Sequence, residues 1–222
     1  MKSFVSSAAA LALAVGLVVA PAAAQLNSIP VYFNPKGGTG FTLAGDFGKG
    51  VNTQSGKNTA FGVRASVGGG PFSIGAGVGT VSLAGQSEVQ YMGNAALRIV
   101  GGPLIPVSVA VQAGVGYLKV GSVKTLNVPI GVGIGLSVPT HGFSFDPWIA
   151  PRVTINAVEF LGTTVTNSGV GVSGGVNLAF VMGLGLHLGF DWTKVGGATP
   201  LIIGAGVHYK FGPPGIPVVP GA

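Results

Sequence analysis

Charge is what this chain has least of. Lys, Arg, Asp and Glu make up only 7% of its 222 residues. A soluble domain carries about 25%, so an ordinary water-facing surface is excluded. Cysteine is absent, which excludes disulfides, thiolate metal sites and a lipidated cysteine behind a leader. Beyond the N-terminus no apolar run reaches about 20 residues, so no transmembrane helix is expected. Lys and Arg outnumber Asp and Glu by 11 to 5, but they are scattered, with no basic cluster or interleaved aromatic stripe, and nucleic acid is not an expected partner. The 41 glycines follow no three-residue period, which excludes collagen. High hydropathy without a spanning helix leaves a closed β-barrel, the other fold in which every backbone polar group in lipid finds a partner.

The pattern that is present points the same way. From 126 to 138 every second residue is a large aliphatic (Leu126, Val128, Ile130, Val132, Ile134, Leu136, Val138). The residues between are small or polar, with Gly131, Gly133 and Gly135 among them. Alternate residues of a strand face opposite sides. A strand with one greasy face and one nearly bare face suits a barrel wall with lipid outside and a lumen inside. The same alternation recurs at 41–47, 61–67, 72–79, 89–99, 107–117, 170–180, 184–193 and 201–211. It is irregular at 143–156, which Pro147 and Pro151 interrupt. The expected fold is all-β: a transmembrane antiparallel up-and-down β-barrel of about ten strands, eight to twelve being compatible with the pattern. Outward aromatics form two belts, Phe72, Phe145, Phe180, Tyr209 and Phe211 at one end and Phe47, Tyr91, Tyr117, Phe190 and Trp192 at the other, as an interfacial girdle requires.

The same pattern divides the chain. Residues 1–24 carry Lys2, an apolar core and an Ala-rich end, which reads as a signal peptide cleaved between Ala24 and Gln25. Residues 25–38 read as a periplasmic lead-in loop, 39–211 as the barrel, and 212–222 as a Pro-rich disordered tail. Tight turns at 69–71, 101–103, 139–142 and 182–183 alternate with polar connections at 48–58, 82–87, 119–124, 157–167 and 194–200. That asymmetry is expected of short periplasmic turns and longer external loops, with 157–167 the longest surface loop.

The last strand contains Gly206, Tyr209 and Phe211. This spacing resembles the C-terminal insertion signal of small bacterial outer-membrane β-barrel proteins, and the resemblance extends as a pattern over about 39–211. It implies insertion by the outer-membrane assembly machinery, contact with outer-membrane lipid and a location in the bacterial outer membrane.

The inward polar positions are the candidate site residues: Asp46, Arg64, Arg98, Gln112, Arg152, Asn177, His187, Asp191, His208 and Lys210. His187 and Asp191 are four apart on one face, and pairing Thr193 with Ile202 would set His187 opposite His208. Such a cluster is the one constellation here suited to acid–base work, yet no nucleophile motif accompanies it. No cofactor or metal is expected. With mostly Gly, Ser and Ala facing inward, the lumen is expected to be water-filled, flattened, or plugged by a folded-in segment. The expected function is non-enzymatic, a small passive pore or structural barrel. The alternatives are a surface adhesin or interaction barrel acting through 157–167 and 48–58, and a barrel enzyme using His187, Asp191 and His208.

Overall fold

The computed structural model describes residues 26–30, 35, 40–83, 85–102 and 105–212. Ten antiparallel strands make up the wall: β1 Gly40–Gly50, β2 Thr59–Gly69, β3 Phe72–Leu83, β4 Gln86–Gly102, β5 Ile105–Val120, β6 Val123–Leu136, β7 Phe143–Phe160, β8 Thr163–Phe180, β9 Leu184–Val195 and β10 Leu201–Phe211. After Ser137, β6 resumes as a two-residue bridge, Val138–Pro139. Each strand pairs with its neighbours in the chain, and β1 pairs with β10 from Phe41↔Phe211 to Gly50↔Ile202. The sheet therefore closes on itself, which removes the unpaired edges that lipid would not tolerate.

The alternation sets the two faces. On β6, Leu126, Ile130, Val132, Ile134 and Leu136 face outward and are exposed, while Asn127, Gly133 and Gly135 face inward. The aromatic belts also form. Phe41 and Phe211 rings approach at the rim where the chain enters and leaves, Phe143 and Phe180 pair at the same rim, and Phe47 meets Phe61 towards the other rim.

Expectations for three segments need correction. The segment 143–156 is not broken, because it lies within the 18-residue strand β7. Pro147 and Pro151 point outward there, and the ladder to β6 omits the rungs between Gly131↔Arg152 and Ile134↔Ile149, next to where Pro151 lacks its donor. The second concerns 157–167, which is not a loop. β7 and β8 stay paired up to Phe160↔Thr163, and only Leu161 and Gly162 turn the chain, both at positive φ. Likewise, Gly121 and Ser122 alone join β5 to β6, so 119–124 is mostly strand. The rim opposite the termini, here the loop rim, therefore carries just two longer connections, 51–58 and 196–200.

The expected signal peptide at 1–24, its cleavage between Ala24 and Gln25, and the tail past Gly212 lie outside the described residues. The lead-in 25–38 is described at 26–30 and 35, and these residues are inside the barrel.

Candidate functional site

The lumen has three components, and the first is the chain's own N-terminal segment. Leu26 and Ile29 are both 2% exposed and pack into an apolar socket formed by inward-facing Ala60 of β2, Val81 of β3, Met92 of β4 and Leu118 of β5. Gln90 on β4 clamps the residue between them. Its Nε2 donates to the Asn27 carbonyl at 3.1 Å, and its Oε1 accepts from the Asn27 amide at 2.6 Å. A turn bond from the Ile29 amide to the Leu26 carbonyl at 3.1 Å, with Ser28 at φ 63°, folds the tip so that both apolar side chains enter the same socket. The wall is cut to receive it. A Cβ on Gly48 would overlap the Ser28 carbonyl and come within 2.7 Å of the Ile29 Cα, and one on Gly62 would press on both apolar side chains. Further down, Pro35 fills the space over Gly133 and Gly135. The segment thus runs from the loop-rim half of the lumen at 26–30 to Pro35, and β1 then starts at the opposite rim. Of the expected periplasmic lead-in, the described residues 26–30 and 35 lie within the barrel instead.

The second component crosses the β1–β10 seam. Asp46 accepts from Arg64 Nε at 2.7 Å and from its Nη2 at 3.2 Å. The other partner of Asp46 is His187 Nε2 at 2.7 Å, and His187 Nδ1 lies 3.2 Å from His208 Nδ1, with the two rings stacked. A carboxylate only accepts, so His187 donates Nε2–H to Asp46, and the two Nδ1 atoms share one further hydrogen bond. His187 is brought close to His208, as expected, but not by the expected register. β9 pairs with β10 two residues out of the anticipated alignment, so His187 stands opposite Gly206 and His208 opposite Gly185. Each ring lies over a glycine, because a Cβ at Gly206 or Gly185 would overlap it. The carboxylate is also different. Asp46, 141 residues away, replaces Asp191.

The third component holds Asp191. Arg152 Nη2 donates to Asp191 Oδ1 and, at 2.7 Å, to Thr193 Oγ1, while Nη1 donates to Ser173. Ser173 Oγ in turn donates to Asp191 Oδ2 at 3.0 Å. All four residues are buried. Asp46 and Asp191 each carry a guanidinium, with His187 added at the first and the Ser173 hydroxyl at the second, as buried carboxylates require.

The remaining candidates are dispersed. Asn177 is opposite both Asp146 and His187, and Gln112 is buried against Gly133. Arg98 donates to the Gly70 carbonyl at 3.2 Å at the chain-terminus rim, and Lys210 is half-buried nearer that rim. Tyr209 and Phe211 face outward with their rings 4.7 Å apart, and Gly206 faces the lumen beneath His187. The alternation places Gln90, Ser173 and Thr193 inward without marking them as site residues, and it does not show Asp146, whose carboxylate accepts from Ser137 at 2.6 Å and from Ser144 at 3.2 Å. Inward Val81, Met92 and Leu118, on three successive strands, were the visible signal for a socket.

No family model matches the chain, and no curated protein matches it by sequence. Solved structures do match. The β domain of the Bordetella autotransporter BrkA has a TM-score of 0.55 at 11% identity, covering 78% of this chain and all of that one. Neisserial surface protein A (TM-score 0.41, 18% identity, 78% of this chain and 98% of that) and the Escherichia coli outer membrane protease OmpT (0.39, 11%, 78% and 94%) are also similar. The fold is that of the small outer-membrane β-barrels, a closed ten-stranded antiparallel barrel.

Proposed function

We propose that the protein is an integral outer-membrane barrel, non-enzymatic, whose lumen is closed at rest by its own N-terminal segment. The chain-terminus rim faces the periplasm and the loop rim faces outward, and the exposed apolar wall contacts outer-membrane lipid. The observation that supports this reading is the fit of the 26–30 segment, with two apolar side chains in a matching socket and a reciprocal amide clamp between them. It replaces a passive pore with a stoppered one, in which solute passage waits on withdrawal of the segment. The Asp46–His187–His208 chain acts structurally: both nitrogens of His187 are engaged, and the chain ties β1 to β9 and β10 where the barrel closes. On this reading, cleavage between Ala24 and Gln25 leaves a mature chain starting one residue before the socket, and Gly206, Tyr209 and Phe211 present the last strand to the insertion machinery.

Liposome swelling in isotonic pentose tests it. Intact protein should give rates near those of empty liposomes, and Gly48→Val, in which a residue of high strand propensity displaces Ser28 and Ile29, should raise them. Equal swelling by intact protein and the variant would refute the stopper.

A further inference from the structure

Barrels have no edges in lipid, but this one has an edge above it. β8 pairs with β7 along its whole length, from Phe143↔Phe180 to Phe160↔Thr163. On its other side β9 stops at Val195↔Gly169. Six residues of β8, 163–168, therefore have a strand on one side and, among the described residues, none on the other. The apolar outward band ends just below, at Ile155 of β7 and Val170 of β8. Above it the outward positions become Ala157, Glu159, Thr164, Thr166 and Ser168. The free edge thus stands in water beyond the lipid-facing wall.

This edge is fixed and unguarded. A two-residue turn with both φ positive, Leu161 at 48° and Gly162 at 81°, joins β7 to β8 and matches the strand twist. β6 supports the hairpin from behind, where Val123 and Val158 pack together with Phe160. The β7–β8 register has no bulge. Exposed edges are normally protected by lysine, proline, a bulge or a cover. The sequence here is Thr-Thr-Val-Thr-Asn-Ser, rich in β-branched residues and free of those guards.

We propose that this edge of β8 is a docking surface for an extended segment of another protein outside the cell, which adds as a strand antiparallel to β8. The location outside the cell rests on the orientation proposed above; the edge itself does not. Every second residue of an edge directs its amide and carbonyl away from the sheet, so the six residues offer about three donors and three acceptors in a row. That ladder matches only another extended backbone. A second copy in the same membrane does not fit. Barrel strands tilt by about 35–45°, and a two-fold axis along the membrane normal would cross the two β8 strands steeply instead of aligning them. The partner segment needs an apolar residue to sit against Val165. An acidic residue at its membrane-proximal end would meet Lys194, which is exposed on β9 opposite Val170.

The test uses the full folded protein in detergent micelles and a fluorescent hexapeptide Ile-Asn-Ala-Val-Glu-Phe, the β7 sequence that already pairs with this segment from the other side. Saturable binding with a Kd below about 1 mM is expected, together with slowed hydrogen exchange at the outward amides of 163–168. The double variant Thr164→Lys, Thr166→Lys, which changes exposed outward side chains only, should weaken binding at least tenfold. A peptide N-methylated at alternate residues should lose binding. No saturation, or binding indifferent to both N-methylation and the lysines, would overturn the proposal. Intact cells with the same impermeant peptide examine the orientation alone: micelle binding without cell labelling would retain the edge and refute the outward-facing rim.

Discussion

If the N-terminal segment is a stopper, weakening its seat should open the lumen while leaving the wall intact. The double substitution Leu26→Ala, Ile29→Ala removes three carbons from each of two side chains buried in one socket. At about 0.8 kcal/mol per buried methylene, the transfer loss is about 5 kcal/mol. The space left in the socket adds to this, and the shared site makes the two losses less than additive, so about 5 kcal/mol is a fair total. Neither side chain belongs to the β-ladder, so the loss falls on seating. At about 1.4 kcal/mol per factor of ten, the unseated population should rise by roughly a thousandfold or more. The chain has no cysteine, so Ser28→Cys introduces a lone thiol at a position with no solvent exposure. Reaction with a bulky impermeant maleimide should be slow in the seated protein and faster by orders of magnitude in the double variant. Heat-modifiability on a gel should be the same for both. Equal labelling rates would refute the seating argument, and loss of heat-modifiability in the double variant would show that the segment holds up the wall.

Three more substitutions probe the lumen and the closing strand. Arg152→Ala leaves Asp191 buried beside Ser173 and Thr193 without its guanidinium and should lower unfolding free energy in micelles by about 3–5 kcal/mol; the paired change Arg152→Met, Asp191→Leu should recover most of it, as read from urea midpoints. Gly185→Ala drives a methyl into the His208 ring and should cost about 1–3 kcal/mol by overpacking, whereas Gly45→Ala, whose Cβ meets nothing within 4 Å, should leave the urea midpoint unchanged. Phe211→Ala removes the ring that contacts both Phe41 and Tyr209 and, as the last residue of the proposed insertion signal, should reduce the heat-modifiable fraction in the outer membrane relative to total protein.

The wall is legible in the sequence because period-two alternation is imposed directly by lipid on one side and lumen on the other. It is legible even in the last strand, where Tyr209 and Phe211 alternate with His208 and Lys210. Where that constraint lapses, legibility lapses too. Above the lipid band both faces of the β7–β8 hairpin turn polar or mixed, so 157–167 reads as a loop although every rung but the turn is paired. Outward prolines obscure β7, since a missing donor shows in composition while the tolerance of two omitted rungs does not. The proximity of His187 and His208 can be read from their shared face, but their register depends on how the 196–200 connection folds. The useful clue is steric: each ring needs a glycine across from it, and Gly206 and Gly185 are both in view. Asp46 cannot be found from local spacing, because only barrel closure brings β1 beside β10. The stopper is least legible, since a segment held by a socket needs no periodicity of its own.

Single-channel conductance across a planar bilayer tests the central claim most directly. Intact folded protein and its Gly48→Val variant would be compared under the same voltage and salt. The stopper account predicts an electrically silent intact barrel and stable conductance steps in the variant. Stable steps of equal size from both proteins would contradict it and restore an open pore.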